Sequence, residues 1–208
     1  MKGRRNPFVA REGRPFLAAG VLAAAFSWYL AGPLPALLPL AVSVALYALF
    51  RDPPRQVPSA PLAVVSPVDG TVVDVAVSDD SILGGEAHKI TIRVDAVGTY
   101  TARSPIEGTI MDFRDQAQRM KLPDDAAGLW VRTDEGDDVV LRFRGHRLGL
   151  VPRAFGRYGE RVGQGQRCAY LRLTRVAEVQ MPINSQVRVV HGQRLTAGSD
   201  ILGQLPHH

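Results

Sequence analysis

The side chains of this chain that could do covalent chemistry are few and scattered. Cys168 is the single cysteine, which excludes an internal disulfide framework and a cysteine-ligated zinc site. Lys89 and Lys121 are the lysines beyond the N-terminal arm. Met120-Lys121-Leu122 is a faint match to a biotin-acceptor motif but follows its repeat too closely, and a solvated loop lysine is the plainer identity. His146 and His191 stand alone, and a lone histidine in a β-rich sequence is more often structural than a general base. Two hydroxyls have a chemical setting. Thr174 lies in Arg172-Leu173-Thr174-Arg175 and could in principle attack a neighbouring carbonyl. Ser199 follows Gly198 in Ala197-Gly198-Ser199-Asp200, which reads as a glycine turn.

Arginine is plentiful, and its placement narrows the options. The net charge of +5 resides in residues 1–59, where seven basic residues (Lys2, Arg4, Arg5, Arg11, Arg14, Arg51, Arg55) face two acids, Glu12 and Asp52. Residues 60–208 are formally neutral but polarised, with 7 basic and 15 acidic residues in 60–138 and 11 and 3 in 139–208. A basic C-terminal third suits a phosphate-bearing lipid or a solvated arginine-rich surface. Without a recognition helix or an aromatic single-strand platform, nucleic acid is not expected as a partner.

The elements that must position these residues divide the chain into four parts. Residues 1–15 are a basic arm. Residues 16–50 are apolar and uncharged, interrupted by Gly32, Pro33 and Pro35. Each half, about 15 residues at 1.5 Å per residue, reaches roughly 22 Å, short of the roughly 30 Å hydrocarbon core. A helical hairpin in one leaflet, turning at Ala31-Gly32-Pro33-Leu34-Pro35, and two thin tilted spans both fit, and both return the chain to the side it left. The flanking basic residues place that side in the cytoplasm, so the expectation is a cell-membrane protein whose remaining mass is cytoplasmic. Residues 51–59 form a proline-rich, extended linker.

Residues 60–208 read as a mostly β domain, with short β-branched runs punctuated by glycine. Predicted strands cover 62–65, 71–77, 89–94, 108–113, 128–133, 138–144, 168–173, 176–181 and 186–190. An internal repeat organises them: Ser66-Pro67-Val68-Asp69-Gly70-Thr71-Val72 recurs as Ser104-Pro105-Ile106-Glu107-Gly108-Thr109-Ile110, with a fainter copy at Met181-Pro182-Ile183-Asn184-Ser185. A second pattern appears as Gly159-Glu160-Arg161-Val162-Gly163-Gln164-Gly165 and Gly192-Gln193-Arg194-Leu195-Thr196-Ala197-Gly198. Proline-led strands alternating with such glycine turns resemble the barrel-sandwich hybrid of biotinyl and lipoyl domains, with swapped or intertwined strands.

Taken in order, the basic N-terminus, the apolar double segment, the exit Phe50-Arg51-Asp52-Pro53, the motif Ser66-Pro67-Val68-Asp69-Gly70, and Gly159-Glu160-Arg161-Val162 with Gly165-Gln166-Arg167 resemble the short bacterial form of the phosphatidylserine decarboxylases. That resemblance implies their fold, preceded by a membrane-embedded helical hairpin. It also implies an Asp–His–Ser set for self-cleavage at a Gly-Ser pair, whose serine becomes a pyruvoyl group. Here Asp69 matches the aspartate and Tyr100 stands at the histidine position. Counting back from Pro182, Thr174 and Arg175 occupy the Gly-Ser pair; a one-residue slip puts Thr174 at the serine.

The expectation is therefore a catalytically degenerate, unprocessed homologue without cofactor or metal, acting in phospholipid binding, regulation or scaffolding. Arg103, Arg172 and Arg175 are its lipid-phosphate candidates, since a guanidinium donates two hydrogen bonds at once. Membrane phospholipid, a second copy, or an active decarboxylase are the implied partners. The alternatives are an active enzyme making phosphatidylethanolamine through an unconventional processing site and its pyruvoyl group, and a barrel-sandwich adaptor of a membrane complex.

Overall fold

The computed structural model describes residues 8–79, 82–113, 127–145 and 150–206. They form two compact units: Met1–Pro54 with Val97–Tyr100, and Arg55–Ala96 with Thr101–His208.

In the first unit a short turn at Arg11–Gly13 leads into α1 (Arg14–Ala31) and α2 (Pro33–Phe50). Each helix has 18 residues, about 27 Å at 1.5 Å per residue and close to the roughly 30 Å of a hydrocarbon core. The helices are longer than the sequence reading allowed, because the turn is one residue. Gly32, at φ 85°, supplies it, while Pro33 and Pro35 fall in the first turn of α2, where a missing N–H costs nothing. The helices approach closely where a small residue permits: a Cβ on Gly20 would lie 2.4 Å from Ser43 Oγ. Ser43 is buried and donates to the Pro39 carbonyl at 2.8 Å. The base is closed by backbone bonds from Ala10 to Phe50 (2.9 Å) and from Asp52 to Phe8 (2.7 Å). Most large apolar side chains of the pair point outward, Phe26, Tyr29, Leu34 and Leu38 among them.

The described residues of the second unit are organised mainly as β-strands. Its strands are β1 (Ala63–Val65), β2 (Gly70–Ser78), β3 (Ala87–Val94), β4 (Thr101–Arg103), β5 (Gly108–Met111), β6 (Ala127–Arg132), β7 (Asp138–Arg144), β8 (Arg153–Ala154), β9 (Arg161–Val162), β10 (Arg167–Tyr170), β11 (Val176–Pro182), β12 (Gln186–Val187), β13 (Arg194–Leu195) and β14 (Ile201–Gln204). An eight-stranded antiparallel sheet runs β13-β2-β3-β11-β7-β6-β5-β9, beside three-stranded sheets β1-β14-β12 and β4-β10-β8. The long order is a palindrome. Its halves are β1, β2, β3, β11, β12, β13, β14 and β4, β5, β6, β7, β8, β9, β10, each strand of one occupying the place of its counterpart in the other. The second repeat, residues 101–170, is thus inserted into the first between β3 and β11.

Backbone bonds repeat the symmetry. Val65 donates to the Pro105 carbonyl and Arg103 to the Pro67 carbonyl, both at 2.8 Å. Ser66 donates to Asp200 and accepts from Gly198, as Ser104 donates to Gln166 and accepts from Gly165. Each serine hydroxyl also donates to the carbonyl two residues on, at 2.8 Å. The glycine ending each motif is obligatory, since a Cβ on Gly70 would lie 2.2 Å from the Arg93 carbonyl oxygen and one on Gly108 2.1 Å from that of Arg132. The copy at Met181–Ser185 does not share this geometry: Pro182 ends β11, and the Ser185 hydroxyl lacks a partner among the described residues. The predicted strand over 168–173 also stops short, at Tyr170, because Arg172 and Leu173 take φ of 47° and 66°, a region no strand occupies. Lys89 lies inside β3, opposite Gln180 and Ala76, away from any hairpin tip; Lys121 lies outside the described residues. Val64, Val72, Ile90, Ile92, Val131, Leu141, Val179 and Leu202 form a fully buried core drawn from both repeats.

Candidate functional site

Asp69 sits in the turn before β2. Its carboxylate accepts from Arg55 Nη2 at 2.6 Å on one oxygen and from the Ala197 N–H at 2.7 Å on the other. Its repeat counterpart Glu107 is exposed, so the carboxylate's setting belongs to one repeat only. The chain crosses between repeats twice, over residues 95–100 and 171–175, and both crossings adjoin this end of β3. Val94 donates to the Arg175 carbonyl (2.8 Å), and Asp95 donates to the Asp69 carbonyl (2.9 Å). The backbone at Asp69 and at Arg175 therefore flanks one strand end.

The return crossing is a tight turn. Thr174 is buried, and both its N–H (3.1 Å) and its hydroxyl donate to the Leu171 carbonyl. To close that ring, Arg172 and Leu173 adopt left-handed conformations that cost about 1–2 kcal/mol per non-glycine residue. Leu173 is left 37% exposed. Arg175 is exposed, and its guanidinium has no hydrogen-bond or ion-pair partner among the described residues. After the turn, the buried Glu178 is paired with Arg144 at 2.7 Å.

Arg103 has an interior setting: it is 2% exposed and donates to the Gly165 carbonyl at 3.0 Å. Gly198 fits against it, since a Cβ there would lie 2.6 Å from Arg103 Cδ. Tyr100 belongs to the first unit, where its hydroxyl donates to Glu12 Oε2 at 2.9 Å and its ring packs on Phe50 with centroids 4.7 Å apart. Cys168 is buried, and burial pushes its thiol up to about 12, so it is no nucleophile at neutral pH. Ser199 lies in the turn after Leu195, with its N–H on the Thr196 carbonyl. His191 is exposed in a turn, and His146 lies outside the described residues. Among the described residues no group of three or more His, Cys, Asp or Glu could hold a metal ion.

Thus the structure unites Asp69 and the backbone of Arg175, and it adds Arg55 and Ala197, which sequence reasoning missed as site residues. Arg55 reads in sequence as a topogenic charge, and Ala197 contributes only its N–H from 128 residues away.

Fold and site define a protein with an apolar helical hairpin followed by a β domain of two interlocked repeats, with a carboxylate beside the point where the chain re-enters the first repeat. No family model matches the chain. It is 30% identical over 210 residues to the phosphatidylserine decarboxylase proenzyme of Nitrosomonas europaea, covering 96% of each chain. It is 32% identical over 218 residues to that of Burkholderia mallei, covering 97% of each. The chain belongs to the phosphatidylserine decarboxylase family. A glucose permease IIA chain from Mycoplasma capricolum aligns over 68% of this chain at 15% identity and a TM-score of 0.46, too low to bear on the fold.

Proposed function

We propose that this protein is a catalytically degenerate, membrane-anchored member of the family that binds phospholipid headgroups. The observation that carries this is the turn at 171–175. Where the family places a Gly-Ser pair, this chain has a buried threonine, its hydroxyl donated to the Leu171 carbonyl, and an exposed arginine. These residues do not fit a pyruvoyl group. Thr174 has no carboxylate or imidazole bonded to it among the described residues, and Tyr100, at the histidine position, donates its hydroxyl hydrogen bond to Glu12. A tyrosine of pKa about 10 is a poor base at neutral pH. The outward-facing apolar hairpin supports membrane insertion, the basic flanks support a cytoplasmic β domain, and the Pro-led turns support the barrel-sandwich-hybrid reading. Arg175 is the phosphate ligand favoured by its exposure and by a guanidinium without a partner among the described residues, with Arg172 beside it, whereas Arg103 serves the interior.

The left-handed pair at Arg172 and Leu173 favours the second reading, an active enzyme processed at an unconventional site, because strained backbone clusters where chains do chemistry. Intact mass separates the two. The degenerate reading expects one uncut 22.6 kDa chain and no carbon dioxide from phosphatidylserine. A fragment of about 34 residues starting near 175 with a blocked 2-oxoacyl end would establish the active one.

A further inference from the structure

One surface of the β domain, outside the hairpin, extends the site turn at 171–175 along β8, and the inference drawn from it rests on the phospholipid-binding reading above. Residues 139–177 contain nine arginines and a single acid, Glu160, and part of this run forms a continuous edge. Strand β8 is the outer strand of its sheet, paired with β10 through Arg153 opposite Tyr170 and Ala154 opposite Ala169. Residues 150–152 lead into β8, and the turn that starts at Leu171 leaves β10 at Tyr170, the partner of Arg153. Arg175 closes the other flank, its Cβ 3.5 Å from where a Cβ on Gly145 would stand. The edge combines apolar tips with exposed cations. Leu150 is 42% exposed, Phe155 40% and Leu173 37%, and Arg153 and Arg175 are exposed with no side-chain partner among the described residues. Phe155 is held upright by Tyr170, with ring centroids 4.4 Å apart, and Leu173 is held out by its left-handed backbone.

We propose that this edge, β8 with the turn 171–175, is a second membrane contact, which docks the β domain onto an anionic bilayer with Leu150, Leu173 and Phe155 among the headgroups and Arg153 and Arg175 on lipid phosphates. Aliphatic and aromatic tips combined with arginine are the chemistry of a headgroup boundary. A second copy meeting this face would bring like charges together. A nucleic-acid surface would need stacking planes, where leucine has none. The proposal rests on the hairpin inserting, because a tethered domain meets the bilayer at high effective concentration.

The test uses the full chain in vesicles, with Cys168→Ser and an environment-sensitive dye on Ala154→Cys, or on Val190→Cys as a control that is 69% exposed elsewhere in the domain. In bilayers containing phosphatidylglycerol the dye at 154 should shift to the blue and be quenched by nitroxide lipids; in pure phosphatidylcholine it should respond weakly, and at 190 not at all. Arg153→Gln should lower the ratio of docked to undocked domain about fivefold, and Leu173→Ser with Phe155→Ser should abolish docking. A dye that stays wet at 154 while the protein floats with anionic vesicles overturns the proposal and leaves the hairpin standing. Failure to float overturns both. A shift that follows protein density and ignores lipid charge assigns the edge to a second copy, and loss of the shift on adding an oligonucleotide assigns it to nucleic acid; either result rejects the bilayer.

Discussion

The carboxylate of Asp69 is spoken for on both oxygens, and this decides what it does now. Arg55 neutralises it, and the Ala197 N–H ties it to the last glycine turn. Its side chain is 12% exposed and that of Arg55 20%, so solvent screening is incomplete and the pair is worth more than a surface ion pair. Asp69→Ala should destabilise the protein by about 2 kcal/mol, because it strands a buried N–H and a half-buried guanidinium. Asp69→Asn, which keeps one acceptor, should cost about 1 kcal/mol. Thermal unfolding of the full chain in detergent measures both, and equal losses would mean that the Ala197 bond contributes nothing. On the degenerate reading proposed above, obtaining cleavage should take more than one exchange. Thr174→Gly with Arg175→Ser restores the pair but leaves Tyr100 at the histidine position, so intact mass should show an uncut chain; adding Tyr100→His should produce slow cleavage. Cleavage by the first pair of changes alone would show that the histidine position is dispensable.

At the level of elements, the turn from Leu171 to Arg175 trades stability for a particular display. Two left-handed residues, neither of them glycine, hold Leu173 out and Thr174 in. Leu173→Gly removes the steric penalty at φ 66°, so unfolding in urea should show a gain of about 1 kcal/mol. The same exchange deletes an apolar tip of the β8 edge, so docking should weaken while stability rises. A stabilised variant with undiminished docking would reduce Leu173 to an accident of the turn, since sites under functional demand are where proteins forgo stability. The hairpin shows the contrary economy. Gly32 and the close approach of Gly20 to Ser43 are small-residue solutions that let two 18-residue helices run side by side with their large side chains turned outward.

Across the whole molecule, what could be read in advance follows from how far each signal reaches. The family, the two apolar helices and the Pro-led repeat were legible, because proline, glycine and unbroken apolar runs act locally. The strands β4, β8, β9, β13 and β14 were not, being two to four residues long and defined by partners distant in sequence. The left-handed turn carries no glycine to announce it, and the partners of Asp69 come from the linker and from the opposite end of the chain. The interlocking itself was legible only as repetition: nothing local says that residues 101–170 are inserted into the other repeat. That topology has a consequence for folding. The repeats share the seam of β7 and β11, where Leu141 stands opposite Val179 and both are fully buried, and they exchange the Val65–Pro105 and Arg103–Pro67 bonds. Neither repeat can leave without stripping the other's core, so the β domain should unfold in one cooperative step. Native-state hydrogen exchange checks this. The amides of Leu141 and Val179 should exchange together in the slowest class and move equally with added denaturant, as global opening requires. Earlier exchange across 101–170, with β2, β3 and β11 still protected, would instead make the inserted repeat a separate folding unit.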